Sequence, residues 1–320
     1  MKKIILFTLL FSLVVTLAKS QGIGYDISYS TPLLFNPALA GTVGAPRNIV
    51  AYSFDNFKME SGSTNYYNIF YASYDQYFDK AKGGLGLVFQ NSSSATGNYN
   101  KFYMGLAYSP VILIKEKVTF KPVVQLCYGR NSIPNSIVAT MDGDSILSAT
   151  ANFFDLNAGF FAYNDRLFGG LIVKHITQPN ISNYSNMEAK SPLIYTASFG
   201  GVLGDISENE GFRFSPNMVY DVLNESGTGF IEKKLTFCAD FKFKLAKIGF
   251  HYEDNQNTPD GRYIVLAGIE IPRLAIVYSY GVNSKNSDNS INTKHQIGIT
   301  YKVKPKKEHE RVKKLNLIDL

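Results

Sequence analysis

The stretch NTKHQIGITYKV, residues 292 to 303, decides the fold. His295, Ile297, Ile299, Tyr301 and Val303 share one face of an extended chain, and Lys294, Gln296, Gly298, Thr300 and Lys302 share the other. Successive side chains of a strand point to opposite faces, so this segment has one apolar wall and one polar wall. It reads as the closing strand of an outer-membrane β-barrel. The order of polar, glycine, aromatic and apolar residues at Gln296, Gly298, Tyr301 and Val303 also resembles the C-terminal signal by which barrel-assembly machinery recognises its clients.

Working outward, comparable runs appear at 47–58, 65–78, 82–91, 99–109, 117–130, 153–163, 166–175, 192–204, 211–220, 233–244, 246–253, 262–271 and 273–282, which with 294–303 makes fourteen. Most approach the length of about 9 to 11 residues that a tilted membrane strand needs. An even count suits a closed antiparallel barrel, and no helical period of comparable strength competes with it. The tenth run fixes the faces: Leu235, Phe237, Ala239, Phe241 and Phe243 meet lipid, while Lys234, Thr236, Cys238, Asp240, Lys242 and Lys244 face the lumen. Likewise Ala246, Ile248, Phe250 and Tyr252 in the eleventh, and Leu274, Ile276, Tyr278 and Tyr280 in the thirteenth, point outward. A soluble sandwich would alternate too, but with shorter strands and fewer large aromatics. The expected fold is therefore all-β, a transmembrane antiparallel barrel over 47–303.

The chain ends fit a membrane destination. Lys2 and Lys3 precede an apolar run from Ile4 to Leu17, and Ala18-Lys19-Ser20 offers small residues where a signal peptidase reads, so residues 1–20 read as a signal peptide cleaved after Ser20. No later stretch approaches the roughly 20 apolar residues of a spanning helix, so a membrane form has to be a barrel. The composition agrees: 14% aromatic, with 21 Tyr, 23 Phe and no Trp. Of the formal +6, three charges belong to Lys2, Lys3 and Lys19, and the tail from Lys302 carries seven Lys/Arg against three acids. The remainder is close to neutral, which removes the case for nucleic-acid binding.

Connections orient the barrel. Links after even-numbered strands are brief, as at Asp79 to Ala81, Asn164-Asp165, Leu245 and Pro272, whereas Asn131 to Asn152 and Ile176 to Ser191 are long. Short turns face the periplasm and long loops face outward in such barrels, which places both termini in the periplasm.

At this point the residues resemble the PorP/SprF-type membrane proteins of the type IX secretion system. The resemblance starts at Tyr29-Ser30 and the block Asn36-Pro37-Ala38-Leu39-Ala40-Gly41, similar to that family's Asn-Pro-Ala-aromatic-Ala-Gly motif with Leu39 in the aromatic's place. It continues through Phe154-Asp155-Leu156-Asn157-Ala158-Gly159, Gly169-Gly170-Leu171 and Ile176-Thr177-Gln178-Pro179, and ends with Tyr278-Ser279-Tyr280 and Lys294-His295-Gln296-Ile297. Their order along the chain carries the resemblance. It implies a noncatalytic outer-membrane component, without cofactor, that supports export or surface attachment of large secreted proteins, such as a gliding adhesin. Implied partners are type IX components, including a periplasmic ring or a peptidoglycan-binding protein, and a secreted cargo. The departures at Leu39 and Gln296 favour a divergent paralogue over a core subunit.

The residues contain no Gly-x-Ser-x-Gly elbow and no His-Glu-x-x-His, and Gly83, Gly84 and Gly86 open a strand, where glycine serves close packing or a bend. The four histidines, His175, His251, His295 and His309, are far apart in sequence; His295 reads as an interfacial imidazole, with no serine and carboxylate to assign to it. Asp142-Gly143-Asp144 reads as a turn rather than a calcium loop. Cys127 and Cys238 point inward from the fifth and tenth strands, too far around the barrel for a bridge, so two free thiols and no metal are expected.

Two segments lie outside the strands. Residues 21–46 are either a periplasmic leader or a plug in which Leu33, Leu34, Phe35 and Leu39 pack inside the lumen. The basic tail 304–320 is either a solvated end or a short helix whose Val312, Leu315, Leu317 and Ile318 dock a periplasmic partner. Two other functions stay open, a passive porin or hydrophobic-solute channel and an exterior-site lipid hydrolase. Inward bulk at Phe161, Tyr163, Ile264 and Leu266 weighs against an open pore.

Overall fold

The computed structural model describes residues 30–58, 64–94, 99–132, 150–182, 188–204, 211–225, 231–256, 261–283 and 293–303. Fourteen long strands form the wall: β1 (Arg47–Lys58), β2 (Thr64–Phe78), β3 (Gly83–Ser94), β4 (Asn100–Pro110), β5 (Val118–Ser132), β6 (Thr150–Tyr163), β7 (Leu167–Lys174), β8 (Leu193–Gly201), β9 (Phe212–Asn224), β10 (Ile231–Phe243), β11 (Ala246–Asn255), β12 (Arg262–Glu270), β13 (Leu274–Asn283) and β14 (Thr293–Lys302). All neighbours are antiparallel, and β14 returns to β1, closing the cylinder.

Each of the fourteen runs read from alternation is a strand. The largest boundary shift is at β9, which reaches Asn224 rather than residue 220. The run 192–204 is broken: β8 stops at Gly201, Val202 turns inward and is buried, and only Leu203–Gly204 resumes pairing, with β9. A second short piece, Ile112–Ile114, folds back on the start of β5 as a small hairpin.

Burial alternates as the apolar pattern requires. In β11, Lys247, Gly249, His251 and Glu253 are buried while Ala246, Ile248 and Phe250 are exposed. In β14, Lys294, Gln296 and Gly298 are buried toward the lumen while Ile297, Ile299 and Tyr301 are exposed. Two assignments in the tenth run depart from this: Leu235, expected to meet lipid, is buried, flanked across the strands by Tyr220 and Asp254, and Lys244, expected in the lumen, is exposed in the turn after β10.

The links on one end are short, 79–82, 164–166, 244–245 and 271–273, and β1 and β14 both begin or end there, tied by a hydrogen bond from Val303 N to Pro46 O at 2.8 Å. At the other end β5 stops at Ser132 and β6 starts at Thr150, and β7 stops at Lys174 and β8 starts at Leu193, so the longer intervals of sequence fall there. Inside the cylinder, the chain ahead of β1 forms a short helix α1 (Pro32–Phe35) and a 3-10 turn, Pro37–Leu39. Leu33 and Ala40 pack with Ile49, Ala51, Tyr71 and Val88 from β1 to β3. Phe35, Ala38 and Leu39 pack with Ala107, Val123, Phe161, Phe168, Ile172 and Val219, inward residues of β4 to β7 and β9. A plug therefore crosses the lumen at the short-turn end. Burying Leu33, Phe35 and Leu39 contributes about 1.5 to 3 kcal/mol each, and Leu34 is half-buried against the first of these clusters.

Candidate functional site

The plug is held by the wall through the block Asn36 to Gly41, each residue of which has a separate physical task. The Asn36 side chain accepts the Ala38 N–H at 3.0 Å and so caps the 3-10 turn; its Nδ2 donates to Phe160 O of β6 at 3.2 Å. Pro37 sits at the first position of that turn, where a missing N–H and a fixed φ carry no penalty. Ala38 and Ala40 are fully buried, so nothing larger fits without displacing the wall. Gly41 has φ +70°, and a Cβ there would lie 2.9 Å from both Gly84 Cα and Tyr77 N.

The wall answers with glycines and with three charged side chains. A Cβ on Gly84 would fall 1.9 Å from Ala40 O, one on Gly86 would strike Leu33, and one on Gly170 would crowd Phe161 and Asn36. Asp75 of β2 divides its carboxylate: Oδ1 accepts the Gly41 N–H at 2.7 Å and Oδ2 accepts from Arg47 Nε at 2.8 Å. Arg47 Nη2 continues to Leu39 O at 3.3 Å, and Lys121 Nζ donates to Ala40 O at 2.8 Å. Asp75 and Lys121 are completely buried. Plug carbonyls and N–H groups that would otherwise be unsatisfied in a closed interior are thus matched by formal charges.

A second cluster joins two further blocks of the sequence near the long-loop end. Asp155 of β6 binds His175 Nδ1 and accepts from Thr177 Oγ1 at 2.7 Å, and Asn157 Oδ1 accepts the His175 N–H at 2.9 Å. Asn157 Nδ2 donates to Gln125 Oε1 at 2.8 Å and to Tyr103 Oη at 3.2 Å. The segments Phe154 to Gly159 and Ile176 to Pro179 therefore meet through their polar side chains, and Gly170 of the third block faces Asn36 of the first.

These segments lie within one sequence profile, the type IX secretion system membrane protein PorP/SprF, which matches residues 19–301. The chain belongs to the PorP/SprF family. Among curated proteins no match is found. Among solved structures this PorP/SprF barrel is similar to the CymD monoaromatic hydrocarbon channel, with TM-score 0.52 and 10% identity over 90% of this chain and 96% of that one. It is also similar to a monoaromatic hydrocarbon channel, the TodX deltaS2S3 mutant, with TM-score 0.50 and 10% identity over 90% and 96%. At such identities the likeness is one of fold, that of an outer-membrane barrel.

The remaining sequence candidates are dispersed. Gln296 and Gly298 face the lumen and Tyr301 and Val303 face outward, all at the closing seam with β1 and β13. His295 is on the exterior, where Tyr278 Oη lies 2.7 Å from its Nδ1 and the Tyr280 ring packs at 5.0 Å. Cys127 and Cys238 are buried free thiols on separate walls. Among the described residues no group of three His, Cys, Asp or Glu side chains is arranged to hold a metal. Residues 1–20, Asp142 to Asp144, His309 and the tail with Val312, Leu315, Leu317 and Ile318 lie outside the described residues. Sequence reading did not single out Asp75 or Lys121, and nothing local marks them as plug contacts, because their partners lie 34 and 81 residues away.

Proposed function

We propose that this PorP/SprF barrel is a noncatalytic outer-membrane adaptor of type IX secretion, supporting the export or surface attachment of one particular large protein. The plug from Thr31 to Gly41 carries this reading. It occupies the short-turn end of the lumen and is fixed by buried charges rather than by exposed, exchangeable contacts. A barrel of about fourteen strands is in any case too narrow for a folded cargo, so its contribution lies in its loops and its two ends. In this reading both termini are periplasmic and the signal peptide leaves after Ser20. The tail from 304 onward then faces the periplasmic partner, whether ring or peptidoglycan-binding protein.

Comparison of secreted and surface proteomes between wild-type and deletion cells tests this. One type IX cargo should vanish from the surface while small-solute uptake and phospholipid turnover stay normal. An unchanged cargo set with a clear permeability defect would replace the adaptor by a channel.

A further inference from the structure

The β7–β8 hairpin is shorter than the wall it belongs to. Pairing of β6 with β7 reaches only Ala158 opposite Val173, although β6 continues back to Thr150. Beyond that level the chain turns into the lumen: Ile176 N donates to Leu156 O at 3.0 Å, and Ile181 O accepts from the buried Asn131 at 3.4 Å. Among the described residues no strand lies against β6 on this side above Ala158. Leu156 O gives the direction of the bare edge. Alternate residues of a strand aim both backbone groups the same way, so Asn152 and Phe154 present theirs to the gap.

On the exterior, Phe102, Tyr128 and Phe154 form an aromatic ladder across β4, β5 and β6, with centroids 6.4 and 5.5 Å apart. It stops at the gap. Phe154 is 78% exposed, more than any other large apolar side chain described. Beside it, Tyr128 Oη donates to Asn152 Oδ1 at 2.8 Å, and the exposed Arg130, cross-strand from Asn152, has no acidic partner among the described residues.

We propose that this notch is a docking site in which an extended segment of the exported partner adds to β6 as a further strand. The identity of the partner rests on the adaptor reading; the notch itself rests on the edge. A row of bare N–H and C=O groups is a template for another extended backbone and offers nothing to a lipid tail, so an open sheet edge calls for a polypeptide. Backbone pairing supplies affinity and alternate side chains supply selectivity. The fitting segment carries an aromatic or large apolar residue opposite Phe154, which continues the ladder, and an acidic residue two positions along, opposite Asn152 and within reach of Arg130.

A photo-crosslinking residue placed in turn at Asn152, Phe154 and, as an exterior control on β12, Ile269 tests this in cells making the full chain. The first two positions should each join one segment of one secreted protein, at attachment points two residues apart, and Ile269 should not. Phe154→Pro removes an N–H that faces the gap and none that bonds β5, so the barrel should still assemble while the adduct from position 152 disappears. Adducts only to lipid, to this chain or to a resident membrane protein overturn the proposal. Loss of a secreted protein on deletion without any adduct discards the notch and keeps the adaptor. In-register adducts to a secreted protein whose export survives deletion keep the edge as a docking strand and discard the adaptor.

Discussion

Beside the plug, the inward positions of β3 and β7 include Gly84, Gly86 and Gly170; on β10 and β11, farther around the barrel, they include Asp240, Lys242, Lys247 and His251, with Gly249 the one glycine among them. Where the plug supplies the atoms, the wall gives up its side chains, and its few charges, Asp75, Arg47 and Lys121, are spent on plug backbone. Away from the plug the wall fills space with long polar side chains that bind one another. Lys247 and Lys302 reach Glu270 at 2.9 and 3.1 Å, Lys242 binds the same carboxylate, and Asp240 meets His251 at 2.9 Å. One wall is specified by a partner segment and the other by its own cross-strand neighbours, so substitutions should be unforgiving on the first and absorbed on the second.

The largest effect should come from Asp75→Ala. It takes the carboxylate from Arg47, which keeps only neutral acceptors such as Leu39 O, and leaves the Gly41 N–H without its own, and breaking a buried charge pair costs about 3 to 5 kcal/mol. Released from Asp75, the plug should leave the lumen, so single-barrel conductance in planar bilayers should rise sharply while the strands persist. Unchanged conductance would mean that the plug does not close the lumen.

Next in size is the exterior of the charged wall. Phe241, stacked on Phe214 at 4.7 Å, faces outward between the buried Asp240 and Lys242. Phe241→Arg should cost roughly 2 to 4 kcal/mol if it lies near mid-bilayer, seen as loss of the folded, heat-modifiable species in the outer membrane. Normal assembly would place this face away from lipid.

Strand positions and most of their faces were legible in the sequence because both depend on a local rule, alternation, and the exceptions, Leu235 and the break at Val202, are where neighbouring elements overrule it. Residues 246–253 and 294–303 could be assigned without knowing their neighbours. The plug was legible only as a choice, since Leu33, Phe35 and Leu39 state that they must be buried but not where. What closes that choice is long-range: Ala40 against Gly84, Asn36 against Phe160, His175 against Asp155. Gly84 reads in sequence as a bend or a tight contact; only the approach of Ala40 O decides between them. His175 was legible only as one of four scattered histidines for the same reason, its partner Asp155 being twenty residues upstream on β6.

Gly41→Ala should sit below these in size. The left-handed backbone at φ +70° and the 2.9 Å approach to Gly84 Cα together call for about 1 to 3 kcal/mol. Because only the plug is strained, its protection from hydrogen exchange should fall at residues 36–42 while β10 to β13 keep theirs. A uniform loss over the barrel would mean that plug and wall fold as one cooperative unit.

The smallest effect should be that of Lys242→Ala, although Lys242 is as buried as many plug contacts. Glu270 keeps Lys247 and Lys302 after the substitution, so no buried charge is left alone, and removing one of three ammonium groups around a single carboxylate also relieves their mutual repulsion. The two terms oppose, which holds the net change to about 1 kcal/mol or less, near the value of an exposed pair. Urea unfolding in lipid vesicles measures it, and the comparison with Asp75→Ala made in the same vesicles is the informative one. A cost for Lys242→Ala equal to that of Asp75→Ala would show that the charged wall is as tightly specified as the plug seat, and that self-pairing among its side chains gives it no tolerance.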